Sequence, residues 1–391
     1  MYGWLLRPGL LMMAGAHYWL NVCGTVLAAV VMGYMIAAAV ALRVRRAPAQ
    51  RGLACVPPTT ILKPLCGAEH ELYDCLRSFC EQKCASLQII FGVRDHDDPA
   101  LSVVRRLQRE FPHLDLQIAA NPAQHGSSGK VSNLLNMMPL ARHDYLVIAD
   151  GDIRVGPGYL EQVIAPLLDP GVGIVTCLYR GCPRPGLWSL LGSLFINEWF
   201  MPAVRVAVLF GSRSFAFGAT IAVRRETLAR IGGFNSIADQ LPDDYRLGEL
   251  TRRAGLRTVL SDIEVETCVE ETGPGNLLRH ELRWLRTIRT VQPLGYALAG
   301  ITVGVPAALF GILLAGGSAI TVALAAVTAL ARLLVDSAPR KPRSLLVQLW
   351  LVLFSDLLVF ALWCWSFTTR HVHWRQARYW VAPDGTAHLV R

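Results

Sequence analysis

Apolar and polar positions divide the chain into three regions before any single residue is weighed. Leu20 to Leu42 carries no charge, follows Tyr18 and Trp19, and precedes Arg43, Arg45 and Arg46. The length suits a bilayer-spanning helix, the aromatics suit an interface, and the basic cluster places the downstream chain on the cytoplasmic side. A cleaved signal peptide would have a shorter apolar core and a small-residue cleavage site, whereas this run ends in arginines. Val291 to Ala331 is also free of charge, enough for two helices joined near Gly316, Gly317 and Ser318. Ser344 to Phe367 is a further apolar run, interrupted only by Asp356. A carboxylate there either packs helices near the interface or serves a function, and the pattern alone leaves both open. Four simple crossings would put the basic tail Arg370–Trp380 outside, against the positive-inside tendency, unless the last segment is re-entrant.

Between these runs the period changes. Thr59–Leu62, Leu87–Val93, Leu114–Ala119, Tyr145–Ala149 and Gly173–Cys177 are short apolar runs that predict strands. Glu71–Phe79, Pro99–Phe111, Val131–Met138 and Pro157–Leu168 are amphipathic and predict helices. The alternation predicts an α/β fold with a mostly parallel sheet, whose ligands gather beyond the carboxyl ends of the strands. Lys63, Arg94-Asp95 and Asp150 each follow such a strand. Leu187 to Val223 is rich in Trp, Leu, Phe and Val but broken by Asn197, Glu198, Pro202, Arg205 and Arg213. An interfacial amphipathic segment and a buried core helix fit it equally. The expected organisation is an anchor over 1–43, a cytoplasmic domain over 44–290 containing the 187–223 segment, and a C-terminal membrane region with a basic tail over 291–391.

Composition sharpens this picture in two respects. Hydrophobic residues make up 53% of the 391, and the formal net charge is +9, almost all from arginine. Abundant arginine, alanine and glycine suit a GC-rich bacterial genome, hence the inner membrane. A basic balance suits nucleic acid or anionic lipid, and its placement beside apolar runs (Arg340, Lys341 and Arg343 again) favours lipid and no nucleic acid. The ten cysteines, among them Cys75, Cys80, Cys84, Cys177 and Cys182, match no paired zinc spacing. Scattered thiols fit a reducing compartment.

The candidate chemistry lies in five short motifs. "VIADGDIRV" sets Asp150 and Asp152 on a turn past an apolar strand, where two carboxylates can hold Mg²⁺ or Mn²⁺ while phosphate oxygens complete the shell. "GVRDHDDP" offers Asp95 nearest the strand as a contact to base or ribose. Asp98-Pro99 reads as a helix start, and His96 is either a base or part of an acidic cluster. "GKVSNLLN" brings Lys130 and Asn133 to a helix start; with Lys63, two of only four lysines fall beside ligand loops, where an ammonium meets phosphate as a point charge. "QLPDDYRLG" carries Asp243 and Asp244, which either complement a helix N-terminus or supply a general base. "HELRWLRTIRT" brings His280, Arg283, Trp284, Arg286 and Arg289 to a basic helix at the membrane surface, where an arginine–tryptophan pair can also clamp a diphosphate.

Together these motifs resemble the ceramide glucosyltransferase family, a membrane branch related to the large family 2 of processive and lipid-directed glycosyltransferases. Its D, D, D, (Q/R)-x-x-R-W pattern maps onto Asp95, Asp150, Asp244 and His280-x-x-Arg283-Trp284. "ILKPLCG", "DHDDPA" and the pair "WRQARY" and "GTAHLV" look like other parts of it, so the likeness runs from about Thr59 to the C-terminus. The resemblance implies a GT-A fold, a UDP-sugar donor, a divalent metal, inversion to a β-linkage and Asp244 as base. Two departures stand out: His280 occupies the Gln/Arg position, and Asp152 completes a D-x-D that the family often lacks. "FAFGATIAVRRE" and "HELRWLRTIR" look most like the bacterial branch associated with hopanoid biosynthesis, implying N-acetylglucosamine transfer to bacteriohopanetetrol, with ceramide glucosylation as the near alternative. The expected arrangement puts Asp95, Lys130 and Asn133 toward the nucleotide and Asp150 with Asp152 on the metal. Asp244 sits at the acceptor hydroxyl, and Arg283 with Trp284 at the leaving UDP. A processive polysaccharide synthase would need more spans, and a non-catalytic scaffold would have no reason to place acids at successive strand ends.

Overall fold

The computed structural model describes residues 7–44, 53, 55–68, 70–336, 344–374 and 377–390. The basic flanks at Arg45, Arg46, Arg340, Lys341 and Arg343 lie outside them. Two compact units form, one from 46–196, 211–291 and 369–391, the other from 1–45, 197–210 and 292–368.

Helix α1 (Arg7–Arg43) leads into alternating elements: β1 (Thr59–Pro64), α2 (Leu72–Cys80), β2 (Leu87–Val93), α3 (Ala100–Glu110), β3 (Asp115–Ala120), α4 (Gly129–Met137) and β4 (Tyr145–Ile148). Each lies within two residues of the bounds expected from the apolar pattern. Every residue of β2 is buried, as befits a parallel strand covered on both faces. Helix α3 buries Ala100, Leu101, Val104 and Leu107, the i, i+3, i+4 stripe of a helix lying on a sheet. Then follow β5 (Ile153–Arg154), α5 (Tyr159–Ile164), β6 (Val172–Pro183), α6 (Leu187–Leu194), a π-helical turn (Phe195–Phe200) and α7 (Met201–Leu209). β7 (Ile221–Arg224), α8 (Arg225–Arg230), α9 (Asp243–Arg253), β8 (Arg257–Val269) and α10 (Pro274–Val291) close this stretch.

The strands form one eight-stranded sheet in the order β3-β2-β1-β4-β7-β6-β8-β5. β1, β2, β3 and β4 are mutually parallel, as are β6 and β8, while β7 and β5 run against their neighbours. Leu62 stands opposite both Ile90 and Ile148, so the carboxyl ends of β1, β2 and β4 are level. That register lines Lys63, Arg94 and Asp150 along one edge. Beneath α4 and α9 the core contains Leu62, Ile90, Leu134, Ile148, Phe234 and Leu247.

The other unit gathers α1 and α7 with α11 (Pro293–Leu298), α12 (Gly304–Leu314), α13 (Ala319–Asp336) and α14 (Leu345–Ser366). Gly15–Arg43 and Leu345–Ser366 are long and apolar enough to cross a membrane, and the stretches 293–302 and 304–314 form a pair bent by 81°. Gly24 and Gly311 let α1 and α12 touch backbone to backbone: a Cβ on Gly24 would lie 2.5 Å from the Gly311 carbonyl oxygen. Small residues at such contacts are how apolar helices approach closely. Positive φ at Gly316 (62°) and Gly317 (74°) makes the turn into α13 at the expected joint. Helix α13 runs beyond the charge-free stretch and includes Arg332, whose guanidinium lies 2.8 Å from Glu198 and 2.9 Å from Asp356. Asp356 also accepts from the Val305 N–H at 3.0 Å, capping α12, so the carboxylate left open by the sequence packs helices here.

The C-terminal residues add β9 (His371–Trp374), β10 (Ala377–Val381) and β11 (Ala387–Val390), an antiparallel three-stranded sheet that belongs with the eight-stranded one in a single unit.

Candidate active site

The turn Asp150-Gly151-Asp152 between β4 and β5 is fixed from below before it presents any carboxylate. Lys63 is fully buried, and its ammonium donates to the Asp150 carbonyl at 2.5 Å while lying 3.9 Å from the Phe79 ring centroid. The Asp152 carbonyl accepts from the Cys268 N–H at 3.0 Å and the Cys75 thiol at 3.5 Å. Thr267 donates its hydroxyl to the Asp152 carboxylate at 2.6 Å. The lysine predicted to face a ligand is thus placed under the turn, holding it.

Above the turn, side chains from α4, α9 and the loop before β7 meet. Lys130 lies 2.5 Å from Asp150 and 3.7 Å from Asp243. Asp244 accepts from the Gly218 N–H at 2.8 Å and the Tyr245 N–H at 2.7 Å. A Cβ on Gly218 would stand 3.1 Å from the Lys130 ammonium, 3.2 Å from Asp150 and 3.4 Å from Asp244, which locates all three around one point. Burial raises the Asp244 carboxyl to about 6, helped by Asp243 and opposed by Lys130 and the two N–H donors. Burial likewise raises Asp152 and Asp243, each with Asp150 as a repelling neighbour. Burial disfavours the Lys130 charge, but Asp150 and Asp243 outweigh it and hold the ammonium protonated.

Helix α10 brings Arg283 and Trp284. Burial lowers the Arg283 guanidinium, against the stabilising charges of Asp150 and Asp243. The Trp284 ring meets Tyr179 edge-on at 5.8 Å between centroids, Phe195 at 6.2 Å and His280 at 5.2 Å. The His280 imidazole pairs through Nδ1 with Glu271 at 2.6 Å, and the second Glu271 oxygen is buried with no hydrogen-bond partner among the described residues. Burial pushes the Tyr179 hydroxyl well up, with Asp244, Asp152 and Asp150 adding to it.

The remaining predicted residues lie farther along the same sheet edge. Asp95 is exposed, its carbonyl accepts from the Asp98 N–H, and its carboxylate has no ion pair among the described residues. Asp98 accepts from the Gly67 N–H with both oxygens, at 3.0 Å each, and from the Ala100 N–H at 2.9 Å: it ties a loop to a helix start. Asn133 donates to the Gly92 carbonyl at 2.8 Å, and its own amide oxygen is buried with no hydrogen-bond partner among the described residues. With Arg94, Asn121, Pro122, Ala123 and Asn136 it lines a small hollow.

Tyr179, Gly218, Thr267 and Glu271 were not foreseen. Each reaches the site through long-range pairing of β6, β7 and β8, which leaves no local motif; only the run of glycine and aromatics around Gly218 hinted at a close approach. No group of three or more metal-ligating side chains occurs among the described residues. Asp150 and Asp152 bring to one turn two oxygen donors of the kind a hard divalent cation takes, with like charges that repel; here Lys130 pairs with the first and Thr267 donates to the second.

Comparison with known proteins agrees with this geometry. A solved mannosyltransferase from Pyrobaculum calidifontis, in complex with GDP-Man and Mn²⁺, superposes with a TM-score of 0.54 at 19% identity, covering 89% of this chain and 96% of that one. The likeness establishes a shared GT-A-type glycosyltransferase fold. Ceramide glucosyltransferase 1 of Caenorhabditis elegans is 23% identical over 53% of this chain and 44% of its own length. The ceramide glucosyltransferase of Komagataella phaffii is 32% identical over 29% and 24% respectively. The chain therefore spans less than half the length of these two relatives. The family profile of glycosyl transferase family 21 matches residues 24–387, nearly the whole chain, and the protein belongs to that family.

Proposed function

We propose that this protein moves a hexose from a UDP-sugar to a hydroxyl of a membrane lipid, with inversion at the anomeric carbon, on the cytoplasmic side of a bacterial inner membrane. The observation that carries the reading is the convergence of Lys130, Asp150 and Asp244 around Gly218, with a carboxyl poised near pH 6 beside the Lys130 ammonium. The acceptor oxygen attacks the anomeric carbon as its proton passes to Asp244. The bond from that carbon to the diphosphate breaks, and its electron pair leaves with UDP. A divalent cation on Asp150 and Asp152, when bound, neutralises charge on the departing diphosphate. Lys130 and Arg283 supply fixed positive charge to the same oxygens, and Trp284 with Tyr179 and Phe195 excludes water from one wall. The nucleoside would lie toward Asp95 and the hollow lined by Arg94, Asn121 and Asn136.

Support for a lipid acceptor comes from the relatives named as ceramide glucosyltransferases and from the apolar helices at both ends. Bacteriohopanetetrol with N-acetylglucosamine is the first pair to assay, and ceramide with glucose the second. Membranes incubated with labelled UDP-glucose or UDP-N-acetylglucosamine should label a lipid extract with one of these acceptors. Asp244→Asn should lower transfer by about 10²–10⁴-fold, the usual worth of a positioned base, while metal-dependent UDP binding persists. Retained turnover in that variant would remove Asp244 as base, and absence of UDP binding in the wild-type protein would favour a scaffold.

A further inference from the structure

The C-terminal sheet lies far from the acidic motifs in sequence, yet it grips the segment that leads into Asp243 and Asp244. The Leu241 N–H donates to the Gly385 carbonyl at 3.0 Å, and the Ala387 N–H donates to the Asp239 carbonyl at 2.9 Å, so 239–241 is paired like a fourth strand. Leu241 is buried with Val372, Val381 and Ala387 in a small core of its own. Arg246, on the first turns of α9, donates to Gln240 at 3.1 Å and to the Asp384 carbonyl. On the other side, Arg286 of α10 donates to the His371 carbonyl at 2.7 Å, and Arg289 to the Thr369 carbonyl at 2.8 Å. One sheet is therefore bonded to both helices that carry Asp244 and Arg283. The same residues 238–239 also hold the start of α4: the Ser128 N–H donates to the Ala238 carbonyl at 2.9 Å, and the Ser127 N–H to the Asp239 carboxylate at 2.8 Å.

We infer that the tail 369–390 is a brace that sets the distance between the base on α9 and the cations on α4 and α10, and that Gly385 and Arg246 are positioning residues for the transfer. Gly385 occupies a left-handed φ of 89°, and a Cβ there would lie 2.8 Å from the Gln240 amide oxygen and 3.2 Å from Pro242. A methyl group at 385 thus presses on Gln240 and Pro242, just ahead of the acidic pair, without removing any group that meets substrate. The inference rests on the proposed transfer for the role of Asp244 and for the assay; the pairing of the tail with 239–246 does not.

The test uses the full chain in membranes or nanodiscs. Gly385→Ala and Arg246→Gln should each lower kcat at least tenfold while the KM for UDP-sugar stays within about twofold. Arg246→Lys, which keeps the charge and one donor, should recover part of the loss. Amide hydrogen exchange over 239–246 should rise in both damaged variants, a readout that needs no turnover. Unchanged exchange overturns the brace. So does full kcat despite raised exchange, or a kcat loss that merely tracks the fraction of folded protein with lysine no better than glutamine. Thr386→Val, a near-isosteric change that removes a hydroxyl bonded to Gln240 and Asp384, keeps the question open to measurement if Gly385→Ala does not fold; it too should raise exchange over 239–246, and no rise counts against the brace. Wild-type protein without turnover on any lipid would count against the transfer reading alone.

Discussion

Asp244 holds its proton to about pH 6, well above an ordinary aspartate, because burial and Asp243 penalise its charge more than Lys130 and the two N–H donors restore it. A base works only when ionised, so kcat/KM should fall about tenfold per pH unit below that value and level off above it. A profile flat down to pH 5 would exclude Asp244 as the titrating base. Lys63 teaches a complementary lesson about legibility. Its place at a strand end was visible in the sequence, but the direction of a side chain at a sheet edge depends on register and alternation, and here it points under the turn. Lys63→Met should therefore act on the D-x-D turn, by orphaning the Asp150 carbonyl, and destabilise by about 1–3 kcal/mol. Chemical denaturation of the variant beside its metal-dependent UDP binding checks both parts.

At the scale of elements, the strands and helices from β1 to β4 were readable because a period-2 or 3.6 pattern is local, whereas β6 runs six residues past its expected end at Cys177 and β5, β7 and β8 were not expected. The apolar helices were readable as apolar but not as partners. Hydropathy ends a span at the first charge, which is why Arg332 fell outside the expected run although α13 continues through it to Asp336. Its two acids come from 134 and 24 residues away, a pairing no window could register. Residues Glu198, Arg332 and Asp356 are all nearly inaccessible, and removing only the cation leaves two buried carboxylates facing each other. Arg332→Met should cost about 3–5 kcal/mol, and adding Glu198→Gln and Asp356→Asn should restore part of it. Unfolding in detergent, followed for the single and triple variants, measures the difference.

For the molecule as a whole, the strand-forming tail has a consequence for how the chain threads the bilayer. Positive-inside counting left the last segment undecided because it weighs charge and knows nothing of folding. Residues 369–391 share one compact unit with the eight-stranded sheet, and the stretch 292–368 departs from that unit and comes back to it. With the tail and the eight-stranded sheet in one unit, both are expected on the same side of a membrane, which calls for an even number of crossings between them. An epitope fused behind the C-terminus should be shielded from protease in sealed vesicles of one orientation and cut in the other, always in step with the sheet domain.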